Sequence, residues 1–313
     1  MANWSEILGE TGGQPARCDP IRRKYLKALS DHTGRNAIAY YSGWLQKPDN
    51  RNGRLMSITD VDMNGFMAAV NKLDRSKGLD LLLHTPGGEI NATEGIVNYL
   101  RHCYDGNIRA IIPQISMSAG TMIALACKEI VMGTHSSLGP IDPQVNGAPA
   151  HGIRDEFERA TQAFKDNPSA AQVWIPILQK YTPTLLGECD NAIKMAEQIV
   201  ADWLENGMLK GQPDPKLLAK RILVEFGSHQ KSLSHGRHFS FEKVKAAGVS
   251  VVQLEDDKDL QDAVLSVHHC FIVTFSLTGA IKIVENHLGA AFVQGAQQPV
   301  FMPPGLAGPP GLV

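Results

Sequence analysis

A chain of 313 residues, 43% hydrophobic and 20% charged, can bury a sizeable core as one large domain or two modest ones. With 30 Lys and Arg against 32 Asp and Glu, the net charge is −2, so no global basic field recruits nucleic acid or acidic lipid. The 5 cysteines (Cys18, Cys103, Cys127, Cys189, Cys270) are scattered without a CxxC pair, which argues against a disulfide framework or a cysteine zinc cluster and fits a reducing cytoplasm. Residues 1–13 are polar and lack the apolar stretch of a secretory leader.

From Asn36 to Val145, strand and helix patterns alternate. Asn36–Tyr41 reads as a strand, and Asp60–Leu73 as a helix capped by Thr59 or Asp60. Leu79–His84 is a short apolar strand, followed by a helix over Asn91–Tyr104 and a third strand over Ile108–Pro113. A small-residue helix, Ala119–Cys127, leads to a fourth strand at Ile130–Met132. Strands that are apolar throughout, spaced by helices, predict βαβ units in a buried parallel sheet.

After Pro149 helices are expected over Gly152–Asp166, Asp190–Asn206 and Pro215–Phe226, with a Ser- and His-rich loop over Gly227–Phe239. A helix over Phe241–Gly248 and a strand over Ser250–Leu254 follow. Gln172–Tyr181 reads as core or oligomer contact, and the apolar block Val264–Val293 is the candidate subunit interface. Pro299–Val313 is expected to lack regular structure. The expected organisation is an N-terminal segment (1–30), one domain (31–295) and a Pro/Gly-rich tail (296–313). Two stretches without formal charge, Ala110–Cys127 and Ala263–Ile281, match a membrane span in length, but their polar interruptions fit buried soluble segments better.

Two turns carry the chemistry. Thr85-Pro86-Gly87-Gly88 follows a strand directly, and paired glycines let backbone N–H groups face a ligand. Gln114–Thr121 joins the next strand to the next helix. Ser118 there sits at the carboxyl edge of the sheet, where open α/β folds place their sites. One strand-helix-strand unit separates the turns, so neighbouring parallel strands bring them to the same edge. A nucleophile beside backbone donors is what acyl transfer requires.

His84–Gly88 (HTPGG), Ser116–Ala126 (SMSAGTMIALA) and Gly133–Gln144 (GTHSSLGPIDPQ) together resemble the Clp-protease/crotonase fold. Within that fold the chain resembles the serine dehydrogenase proteinase (SDH) family, relatives of signal-peptide peptidase A. Arg35–Leu45, Ser232–Gly248 and Ala280–Gly289 extend the likeness over nearly the whole chain. The resemblance implies a spiral of βαβ units with added C-terminal helices and a serine endopeptidase without cofactor. Ser118 would be the nucleophile, with the Gly88 and Ala119 N–H groups as the oxyanion hole and Gly87 and Gly120 in the substrate loop. It further implies a polypeptide substrate and a homo-oligomer. No P-loop signature occurs in the chain, so any ATP-driven unfoldase would be a separate partner.

The general base departs from the Clp pattern. Where that pattern has a histidine, this chain reads Ile141-Asp142-Pro143-Gln144. Relatives of signal-peptide peptidase place a lysine after an Ala-Pro-Pro run. Here Ala148-Pro149-Ala150 precedes His151, which makes His151 the first candidate base, ahead of Lys165. Asp142, as weak base or orienter, and the loop-borne His235 stay open. His268-His269 beside Cys270 lacks metal-ligand spacing, so no metal is expected. The competing readings are a crotonase-like acyl-CoA enzyme, which would not need Ser118, and a scaffold or binding member that has lost its base.

Overall fold

The computed structural model describes residues 2–47 and 53–295, and the backbone of 299–302. Helices α1 (Trp4–Thr11) and α2 (Cys18–Thr33) lead into the central strand β1 (Asn36–Ser42), all of whose residues are buried. The alternation then runs through α3 (Asp62–Val70), β2 (Leu79–His84), α4 (Ile90–Tyr104), β3 (Ile108–Ile112), α5 (Ala119–Leu125) and β4 (Glu129–Met132). The longer helices that follow are α6 (Ala150–Asp166), α7 (Leu185–Asn206) and α8 (Pro215–Gly227). The chain closes with α9 (Phe241–Ala246), β5 (Val251–Gln253), α10 (Lys258–Leu277), β6 (Ala280–Asn286), β7 (Ala291–Gly295) and β8 (Pro299–Met302).

The eight strands form one sheet in the order β8-β7-β6-β1-β2-β3-β4-β5. From β1 to β5 neighbours pair parallel, as the βαβ pattern predicts, whereas β6, β7 and β8 add an antiparallel wing to β1. Side chains alternate across the sheet. Ile38, Tyr40, Leu81 and Leu83 face the large core under α3, α4, α5, α7 and α8. Ala39, Tyr41 and Leu82 face a second core with Leu26 and Leu29 of α2 and Val264, Val267, Phe271 and Phe275 of α10. Burying each such large side chain contributes about 1.5–3 kcal/mol.

Several expectations change here. The first 30 residues pack into the body of the chain: fully buried Arg22 of α2 pairs with Glu285 of β6. The apolar block Val264–Val293 is internal, because α10 and β6 fill the second core, so it is not the free face an interface requires. α10 is long and apolar enough to cross a membrane by length and composition, yet Val267, Phe271 and Phe275 are buried within the chain. Ala110–Cys127 divides into β3 and α5. The helix over 171–178 buries none of its side chains, with Val173 65% and Ile175 48% exposed, so of the stretch Gln172–Tyr181 it is Tyr181 that packs on an internal cluster, beside Phe157. Pro299–Met302 pairs with β7 as a strand, and the rest of the expected tail, 303–313, lies outside the described residues.

Candidate active site

β2 ends at His84, and the following turn is laced to the segment after β3. Thr85 N–H donates to the Ile115 carbonyl at 3.3 Å, and Met117 N–H donates to the Thr85 carbonyl at 3.0 Å. Gly87 adopts φ +100°, and a Cβ there would lie 2.7 Å from both the Met117 oxygen and Ser118 Cβ. Only glycine allows the two turns to approach so closely. On the other side, Ile58 N–H donates to the Gly87 carbonyl at 2.8 Å and Glu89 N–H donates to the Ile58 carbonyl at 2.9 Å. Ile58 thus engages the residues flanking Gly88 and leaves the Gly88 N–H itself for another acceptor. A Cβ on Gly88 would meet the Ile58 backbone at 2.3 Å.

Ser118 is the hinge between this segment and α5, with φ 51° and ψ −118°. That left-handed backbone is unusual for serine and marks strain held by its surroundings. Its hydroxyl does not cap α5, which sets aside the ordinary N-cap role. The half-buried side chain instead lines a cleft of about 490 Å³ with Pro86, Gly87, Gly88, Gln144 and His235, and Ile90, Met122, Ile141 and Met195 supply apolar wall. Ala119 opens α5, where a first-turn N–H has no intrahelical partner. Gly120 is not part of the cleft as expected. Its absent side chain faces inward, where a Cβ would sit 2.4 Å from Ser116 Oγ and Thr85 Cγ2, so its role is close packing of the two turns.

The histidine in this cleft is His235. Asp142 Oδ1 lies 2.7 Å from His235 Nδ1, while its Oδ2 lies 3.3 Å from His229 Nδ1 and from Gln144 Nε2. Asp142 is 1% exposed and stands between Ile141 and Pro143. Two links bring the distant loop across: the Ile141 N–H bonds the Phe226 carbonyl at 2.9 Å, and Leu138 and Phe239 exchange backbone bonds at 3.1 and 2.8 Å.

His151 does not join Ser118. Set in the first turn of α6, it lines a separate cavity of about 380 Å³ with Glu197, Lys220 and His229, where burial lowers its pKa. Lys165, in the last turn of α6, borders a third groove with Thr161 and Leu186. His268 is buried on α10, its Nδ1 3.4 Å from the Tyr41 hydroxyl. Among the described residues no group of three or more His, Cys, Asp or Glu could hold a metal ion.

Asp62 and Lys282 form a buried pair behind the Gly88 turn that no sequence motif marks. Lys282 Nζ lies 2.7 Å from Asp62 Oδ1 and donates to the Ser57 carbonyl at 2.7 Å. Asp62 Oδ2 accepts from Thr59 N–H at 2.9 Å and from the Tyr40 hydroxyl at 3.0 Å. Burial pushes the Asp62 carboxyl up and the Lys282 ammonium down, and each charge opposes the shift of the other. The pair fixes residues 57–62, and through Ile58 it fixes the Gly88 turn. The available signal was a lysine inside the apolar strand pattern Ala280-Ile281-Lys282-Ile283-Val284.

A parallel sheet with a serine on a strained turn at its carboxyl edge, facing a glycine turn, defines a Clp/crotonase-like α/β protein. Residues 53–253 match the ClpP-like SDH-type serine proteinases, and the chain belongs to that family. Two similar proteins of Methanocaldococcus jannaschii are both described as uncharacterized. One is 29% identical over 194 residues, 62% of this chain and 59% of that protein. The other is 38% identical over 102 residues, 33% of this chain and 35% of that protein.

Proposed function

We propose that this chain is a serine endopeptidase whose base is His235, oriented by Asp142. The observation that carries the reading is the shared cleft: Ser118, Gly88 and His235 line it together, with Asp142 Oδ1 at 2.7 Å from His235 Nδ1. The carboxylate favours the tautomer with its proton on Nδ1, leaving Nε2 as acceptor. Ser118 Oγ attacks the peptide carbonyl carbon and its proton passes to Nε2. The carbonyl oxygen becomes an oxyanion held by the Gly88 and Ala119 N–H groups. When the C–N bond breaks, His235 returns the proton to the leaving amine. Water, deprotonated by the same nitrogen, then cleaves the acyl-Ser118 ester.

The strained turn at Ser118 supports this reading over an acyl-CoA enzyme that needs no serine nucleophile. The test is labelling by a fluorophosphonate probe. Modification at Ser118, lost in His235→Ala, is expected. A folded protein that stays unlabelled and cleaves no denatured protein would overturn the proposal.

A further inference from the structure

Charge is unevenly distributed along this chain. Residues 210–245 hold 8 of its 30 Lys and Arg but only 3 of its 32 Asp and Glu, which leaves 22 basic against 29 acidic residues elsewhere. The same segment contributes α8, α9 and the His235 loop. Its cations gather in a groove of about 580 Å³, where Lys220, Arg221, Lys231 and Lys243 surround a floor of Leu217, Val224 and Ala246. Glu225 is the acidic residue of that lining, and it pairs with Lys231.

The inner face of α8 is spent on the core through Ala219, Ile222 and Phe226, while Leu217 and Val224 on its outer face remain 54% and 42% exposed. Lys243 is held in place over the Phe239 ring, 3.7 Å from its centroid. Burial and the nearby Arg237 and Lys231 all disfavour its positive charge. With Lys231 spent on Glu225, Lys220, Arg221 and Lys243 leave three like charges around an apolar strip, and an anionic occupant relieves their repulsion.

We propose that this groove binds an acidic-aliphatic stretch of the polypeptide substrate and so selects acidic chains for the Ser118 cleft. The occupant follows from the lining: side-chain carboxylates pair with Lys220, Arg221 and Lys243 while aliphatic side chains cover Leu217 and Val224. On a molecule of net charge −2, this groove offers such a chain a locally attractive face. Lys220 and Val224 border the His229 cavity as well as the groove, and His229 shares Asp142 with His235, so that cavity links the groove to the cleft. The proposal rests on the peptidase reading only for the identity of the substrate.

Binding to full-length Ser118→Ala protein separates the two, because it needs no hydrolysis. Fluorescent peptides of one length alternating Leu with Glu, Gln or Lys serve as probes, read by anisotropy at about 0.15 M salt. The Glu peptide is expected to bind at least about tenfold tighter than the Gln peptide, with the advantage shrinking as salt rises. Lys220→Glu/Arg221→Glu should remove it, and the milder Lys220→Gln/Arg221→Gln should reduce it if the reversal misfolds. Equal binding of the Glu and Gln peptides, or an advantage unchanged in both folded variants, overturns the proposal. So does tighter binding of a single-stranded RNA of matched charge. Failure of fluorophosphonate labelling in wild-type protein sinks the peptidase reading alone.

Discussion

His235 presents its Nδ1 to Asp142 Oδ1 at 2.7 Å across 93 residues of sequence, on the wall of the cleft that also holds Ser118. His235→Ala should therefore lower the rate of peptide cleavage by about a thousandfold or more, and Asp142→Asn by a comparable factor through the wrong tautomer. His151→Ala should stay within about twofold of wild type, because its ring faces another cavity. Initial rates on a denatured protein, with circular dichroism as the folding control, read all three.

Ser118 occupies φ 51°, ψ −118°, a backbone that costs a serine about 1–3 kcal/mol. Ser118→Ala keeps that strain and should lose activity without gaining stability. Ser118→Gly should lose activity and gain about 1 kcal/mol, part of the relief being offset by the extra freedom of glycine in the unfolded chain. Urea midpoints of the two inactive variants, compared with wild type, check the difference.

At Gly88 a methyl group would lie 2.3 Å from the Ile58 backbone, so Gly88→Ala must push the turn off its clamp. Loss of one oxyanion donor costs roughly 2.7–4 kcal/mol of transition-state stabilisation. Steady-state kinetics should show kcat falling about a hundredfold or more with KM little changed.

Breaking the buried pair behind that turn acts on stability and rate together. Lys282→Met leaves Asp62 uncompensated and should cost about 3–5 kcal/mol in urea unfolding. Lys282→Met/Asp62→Leu should recover most of that stability. It should not recover kcat, because Ser57 and Thr59 lose the partners that fix the clamp.

Acid sensitivity has an assignable source in His84. Its ring is wedged among Tyr41, Trp44 and His268, neither nitrogen has a partner among the described residues, and burial lowers its pKa from 6.5 to about 3. Below pH 6.5 the unfolded chain takes up a proton that the folded chain refuses, so stability falls as pH drops from 6.5 towards 3. At pH 5 the loss from this residue is about 2 kcal/mol. His84→Phe should flatten that slope when urea midpoints at pH 7 and pH 5 are compared.

Local patterns carried the parallel half of the sheet: Leu79–His84 and Ile108–Ile112 are apolar runs bounded by turns, and Gly87, Gly88 and Ser118 follow them directly. What local patterns could not carry was tertiary pairing. His235 is 117 residues from Ser118 in a loop whose path depends on the Leu138–Phe239 bridge. The clue lay in Asp142, a carboxylate between Ile141 and Pro143: a buried carboxylate requires partners, and the adjacent residues offer the amide of Gln144 but no cation or imidazole. Lys282 was hidden for the same reason, since its partner Asp62 is 220 residues away. The helix over Asp62–Val70 also starts two residues later than its apolar spacing suggests, because Asp62 turns inward to that lysine.

The middle position of β1 has a consequence for how the molecule is made. One edge of β1 pairs with β2, some 40 residues downstream, and the other with β6, near the end of the chain. During synthesis, Asn36–Ser42 emerges well before its partners, for its second hydrogen-bonding edge and the Glu285 partner of Arg22 arrive only after residue 280. Closure of the core must therefore await synthesis beyond residue 280, and such long-range pairing is slow. Until then β1 exposes an unpaired edge of Ile38, Tyr40 and Tyr41, the type of edge that templates aggregation. A chain truncated before Ala280 should accumulate as insoluble protein even though every residue of the Ser118 cleft is present.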